Sequence, residues 1–79
     1  MRIGLVTGAV WATRKAECLQ GQTFLMVDLG DARLVAADRV GAGVGDRVLL
    51  VTGSAAARFC MDAPVDAAVV AILDGEKER

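Results

Sequence analysis

Short apolar runs separated by turn formers set what this chain can fold into. Residues 2–12 alternate, with Ile3, Leu5, Ala9 and Trp11 on one side and Val6 and Val10 on the other. "QTFLMVDL" (22–29), "ARLVAAD" (32–38), "RVLLVT" (47–52) and "VDAAVVAILD" (65–74) follow as further runs of strand-forming residues. Gly30-Asp31 turns the second run into the third as a hairpin. The polar stretch from Arg14 to Gly21 holds the first long turn. "SAAARFCMD" (54–62) predicts a short helix opened by Ser54 as N-cap and closed off by Pro64. Short strands with one small helix before the last predict a mainly β fold: a small, OB-like, five-stranded antiparallel β-barrel, closed or nearly so. The whole chain, 1–79, is then a single domain, with "GEKER" (75–79) as a solvated tail. Trp11 and Phe24 are assigned to its core.

A barrel of this size has a supply problem in reverse. In 79 residues, 54% belong to the apolar class, yet small domains bury a smaller share of their surface than large ones. The first run also carries apolar groups on both faces. The surplus predicts cover from another copy or a partner.

Charge and cysteine content narrow the function. A net charge of −1 offers no attraction to a polyanion, and three aromatic residues make a poor stacking platform, so no nucleic-acid partner is expected. Cys18 and Cys60 are far apart, with no CxxC and no histidine in the chain, which excludes a readable zinc site or disulfide framework. Both are expected to be reduced structural thiols. No uncharged run approaches the roughly 18 residues of a membrane span, and the protein is expected to be soluble and cytoplasmic, with no membrane partner.

"VGAGVGD" (40–46) invites a phosphate-binding reading, which its context removes. The dinucleotide fingerprint needs a helix after its glycines and the P-loop needs Gly-Lys-Ser/Thr, whereas here "RVLLVT" follows at once. The glycines are read as a backbone turn needing positive φ or close chain approach. Without histidine, and with no base next to Ser54, no nucleophilic triad can be assembled. Asp28, Asp31, Asp38, Asp46 and Asp74 sit at strand ends, where aspartate is an ordinary turn former. No catalytic residue, metal or cofactor is expected.

Two segments, "VAADRVGAGVGDRVLLVTGSAAAR" (35–58) and "APVDAAVVAILD" (63–74), closely resemble the EutN/CcmL family, the pentameric vertex proteins of bacterial microcompartment shells and carboxysomes. Gly8, Val10, Thr13, Lys15, Leu19 and Gly21 also fall on that family's G-x-V-x-x-T-x-K-x-x-x-L-x-G pattern. The resemblance implies a cyclic homopentamer that caps the corners of a polyhedral shell built from hexameric tiles. A head-to-tail ring uses different patches on the two sides of each subunit, which suits strands apolar on both faces. On this reading Gly41, Ala42, Gly43, Val44 and Gly45, with Ser54 and Arg58, are candidates for the subunit boundary or the ring axis. Arg14, Lys15 and Asp31 are candidates for contact with neighbouring tiles. The chain departs from longer relatives in ending where they continue into another strand, in a shorter 28–32 turn and in one extra residue in "GSAAAR", so an open barrel edge is an expectation to check. Two readings from other classes stand beside it: an OB-like nucleic-acid- or ligand-binding module, and a small enzyme subunit.

Overall fold

The strand runs do form strands. In a computed structural model, which describes residues 1–74, the elements are β1 (Arg2–Val10), a single 3-10 turn (Glu17–Leu19), β2 (Thr23–Asp28), β3 (Arg33–Asp38), β4 (Arg47–Thr52), α1 (Ser54–Phe59) and β5 (Ala67–Leu73). The expected tail at 75–79 lies outside the described residues. Period two is visible in burial: Leu25 and Val27 of β2 and Val48 and Leu50 of β4 point inward and are buried, while their neighbours are not.

The sheet closes in the order β1-β2-β3-β5-β4, the closure between β3 and β5 resting on two residue pairs, so that Arg33–Ala36 of β3 pair with β2 alone. It is not antiparallel throughout. Every neighbouring pair runs antiparallel except β3 and β5, which are parallel through Ala37 opposite Ala68 and Asp38 opposite Val69. The reason is one of parity: in a closed ring with an odd number of strands, directions cannot alternate all the way round, and one pair must agree. An all-antiparallel barrel of five strands is therefore excluded once it closes.

β1 carries the closure. Its first half pairs with β4 (Arg2 opposite Leu50 through Leu5 opposite Arg47) and its second half with β2 (to Val10 opposite Phe24), with a register shift between Val6 and Gly8. Gly4 sits where the barrel wall is tightest. A Cβ at this position would collide with Val27 Cγ1 and lie 3.0 Å from Leu29 Cδ2 and 3.1 Å from the Asp28 carbonyl oxygen. Only glycine lets the two backbones come this close.

Two apolar clusters hold the structure. Val6, Leu25, Val27, Ala36, Val48, Leu50, Ala67 and Val69 fill the barrel. Ala37, Ala56, Cys60, Ala63 and Ala68 form the second, in which α1 lies against β4 and β5 and Ala37 of β3 joins the packing. Small side chains on both sides let the helix approach the sheet closely. The Pro64 boundary holds, and α1 stops at Phe59, short of the expected residue 62. Met61 and Asp62 follow with φ of 57° and 60°, left-handed values rare outside glycine. The Asp62 N–H donates to the Ala57 carbonyl at 2.7 Å and fixes this reversal.

Three of the strand-end aspartates, Asp28, Asp38 and Asp46, behave as turn formers. Asp28 Oδ1 accepts from the Gly30 N–H (2.8 Å), Asp38 Oδ1 from the Val40 N–H (3.1 Å) and Asp46 Oδ2 from the Gly43 N–H (2.8 Å). Asp31 differs, bonding to Arg2 Nη2 at 2.7 Å and pinning the β2–β3 hairpin to the start of β1.

Candidate assembly surfaces

The glycine loop (40–46) leaves β3 and runs onto β1. The Val6 N–H donates to the Asp46 carbonyl (3.0 Å) and the Gly45 N–H to the Val6 carbonyl (2.9 Å), which prolongs the β1–β4 ladder into the loop. Gly41 and Gly45 have φ of +80° and +93°, so the backbone itself demands glycine there. Gly43 has neither a positive φ nor crowding: its nearest neighbour to an added Cβ is Asp46 Oδ2 at 4.0 Å. Ala42 packs onto the barrel core, and Val44 stands out with 68% of its surface exposed. The loop thus presents an apolar tip, and nothing within the chain requires glycine at 43.

Ser54 does not cap α1. The N-cap is Gly53 (φ 69°, ψ −148°), with no side-chain cap bond, and Ser54 is the first helical residue, exposed. The left-handed entry at Gly53 moves the helix start one residue on, inside the position from which a serine hydroxyl reaches the free N–H groups. Arg58 is exposed in the last turn of α1, where a cation complements the C-terminal carbonyls. Beyond it lie exposed Phe59 and Met61.

The three polar candidates are placed differently. Arg14 is exposed. Lys15 is half-buried, its Nζ donating to the Gln22 main-chain carbonyl at 2.9 Å and lying 5.8 Å from the Phe24 ring centre. Asp31 is exposed and paired with Arg2, whose hydrogen bond and charge hold its carboxyl below the usual carboxylate range.

Trp11 corrects the core assignment. It is 86% exposed, one residue past the end of β1, and Ile3, Leu5 and Ala9, with which it alternates, are exposed too, Gly4 and Val6 being the buried positions of the strand. Phe24 is half-buried against the α1 cluster. Trp11, Val10, Lys15, Gln22 and Phe24 line a cavity that sequence reasoning missed; the consecutive apolar residues at 10 and 11, which break the alternation, were its only signal. Cys60 is buried as a structural thiol should be, but Cys18 is exposed, and both are free. Among the described residues no helix is long and apolar enough to cross a membrane, and no cluster of three metal-ligating side chains occurs.

This arrangement offers apolar projections and no assembled reaction centre. The family model described as ethanolamine utilisation protein EutN/carboxysome matches residues 1–74. The carboxysome shell vertex protein CcmL of Synechococcus elongatus is 48% identical, over 94% of this chain and 84% of its own. The microcompartment shell vertex protein EutN of Salmonella typhimurium is 37% identical over the same shares. Among solved structures, an ethanolamine utilization protein EutN superposes with a TM-score of 0.93 at 33% identity, over 99% of this chain and 91% of that one. GrpN, a pentameric microcompartment shell protein from Rhodospirillum rubrum, superposes at 0.85 with 35% identity, over 99% and 100%. The chain belongs to the EutN/CcmL family of bacterial microcompartment shell vertex proteins, a structural family without a catalytic role.

Proposed function

We propose that five copies of this chain close head to tail into a ring that fills a corner of a polyhedral shell whose facets are hexameric tiles. A hexagonal sheet is flat, and closing it demands positions of five-fold order, so the function is curvature and sealing. The observation that carries this reading is the apolar surface the single chain leaves uncovered at separate places: Ile3 and Leu5 on β1, Val40 and Val44 in the glycine loop, Phe59 and Met61 after α1. A cyclic ring needs unlike patches on its two sides, and this chain carries several.

Within the ring, the loop Gly41-Ala42-Gly43-Val44-Gly45 and the α1 segment bearing Ser54 and Arg58 serve the subunit boundary or the axis. Gly43 supports this assignment, since its lack of a side chain answers no demand inside the chain. Arg14 and the Arg2–Asp31 pair are the groups offered to neighbouring tiles. Lys15, whose amine is already engaged, takes part only by holding its own surroundings in shape.

Light scattering across a dilution series tests the ring. Five chains of 8.2 kDa give a particle of about 41 kDa. A folded monomer that persists at every concentration overturns the reading.

A further inference from the structure

Residues 53–66, which join β4 to β5, form a loop closed at its own neck. The Gly53 N–H donates to the Asp66 carbonyl at 2.8 Å, directly beyond the last rung of the β4–β5 ladder, Thr52 opposite Ala67. From there outward the segment bonds to itself. The main-chain N–H groups of Ala56, Cys60, Met61, Asp62, Ala63 and Val65 all donate to carbonyls between Gly53 and Ala63. Among the described residues, no main-chain hydrogen bond ties residues 54–65 to the barrel.

What holds the loop down is therefore apolar contact, and small groups make it. The loop inserts Ala56, Cys60 and Ala63 into the outer cluster against Ala37 and Ala68, with Phe24, Val51 and Val65 around them. The barrel interior is filled instead by four valines and two leucines together with two alanines. Stabilisation by burial scales with the apolar area removed from water, so the loop is the more weakly anchored of the two. Its own larger apolar side chains, Phe59 and Met61, are exposed and add little to the hold.

The loop also works against its own backbone. Met61 and Asp62 are both held at left-handed angles, φ 57° and 60°, where a Cβ crowds the following carbonyl oxygen. α1 is six residues long and enters without a side-chain cap. A helix so short does not persist without the surface it packs on, so a loop that leaves the barrel unravels and both left-handed residues relax. Next to it lies the barrel's shortest pairing. Two residue pairs join β3 to β5, whereas every other neighbouring pair of strands has four to six, and Ala37 and Ala68 of that pairing belong to the same outer cluster.

We propose that residues 53–66 are a strap that lifts cooperatively from the barrel, pivoting at the Gly53–Asp66 neck, while the four longer pairings stay closed. Lifting uncovers Cys60 and the outer side of the β3–β5 pairing, and gives the subunit a built-in point of local opening where its closure is thinnest.

Cys60 is 1% exposed and reports the lift directly. Cys18→Ser removes the exposed thiol and leaves Cys60 as the single target of an aromatic disulfide reagent. Its labelling is followed from water through urea concentrations below the unfolding transition. The opening constant, taken as the labelling rate relative to that of the urea-unfolded chain, should exceed the global unfolding constant in water by about tenfold or more, with a much shallower urea dependence because little surface is uncovered. Met61→Gly, which relieves a left-handed residue whose side chain is exposed, should lower the opening constant by about threefold or more. Main-chain amides of residues 54–63 should exchange with deuterium ahead of those of β1 and β2. Every anchor of the strap lies within one chain, so failure of the ring reading leaves these expectations unchanged. Cys60 labelling that follows global unfolding in both constant and urea slope, with residues 54–63 exchanging no earlier than β1 and β2, overturns the strap.

Discussion

At the scale of single residues, the barrel depends on where a side chain is forbidden. Gly4 and Gly8 both lie on β1, and sequence alone treats them alike. The structure separates them: a Cβ at 4 runs into Val27 Cγ1 and the β2 backbone, whereas a Cβ at 8 meets only Met26 Cβ, at 4.0 Å. Gly4→Ala should therefore cost about 1–3 kcal/mol through overpacking, and Gly8→Ala should lie within about 0.5 kcal/mol of wild type, where substitutions free of such clashes fall. Thermal denaturation at matched concentration checks the pair, since any oligomer makes the midpoint depend on concentration. Equal losses would show that the close approach at Gly4 is relaxed in solution. Trp11 makes the opposite point. Its hydrophobicity was legible and its position was not, because β1 carries apolar residues on both faces and the pattern alone does not say which face turns inward.

At the scale of elements, much was readable. β4 covers "RVLLVT" residue for residue, and the other strands fall inside their predicted runs. The turns at Asp28, Asp38 and Asp46 follow from a short acceptor side chain reaching a main-chain N–H two residues ahead or three behind, a local interaction that sequence carries well. The β3–β5 contact was not readable, because it joins strands far apart in the chain and its direction is fixed only by closure of the whole ring. It is also the shortest pairing, two residue pairs whose Ala37 and Ala68 share an apolar cluster with Ala56 of α1. Ala68 is fully buried between sheet and helix. Ala68→Leu should push α1 off this seam and destabilise by about 1–3 kcal/mol, read by urea unfolding. Retention of full stability would mean that the helix yields without cost and is not what seals the barrel.

At the scale of the whole molecule, the question is which features serve the chain and which serve the assembly. Gly41 and Gly45 serve the chain, through their backbone angles. Gly43 has no such duty, so Gly43→Ala should leave the folding of the dissociated protein within about 0.5 kcal/mol of wild type, as surface changes away from special geometry do, and weaken ring formation. Sedimentation velocity over a dilution series reads the second effect. If folding and assembly are both untouched, the loop tip faces neither the boundary nor the axis. The candidate surface was partly legible in this sense: glycine at alternate positions announced a special backbone, but only coordinates separate the two glycines that the turn requires from the one that it does not.

The first and last strands, β1 and β5, flank the same neighbour, β4. β1 and β5 run in the same direction, so the start of β1, level with Leu50, and the end of β5, level with Arg47, lie toward opposite ends of β4, about 10 Å apart along it as well as two strand spacings across it, while the β2–β3 turn is an exposed tip. Circular permutation succeeds at sites of this kind. A bridge running diagonally over β4 and a new opening at Gly30-Asp31 would give a barrel of unchanged pairing whose free ends lie elsewhere, a route for attaching cargo or a reporter to a shell corner from a different direction.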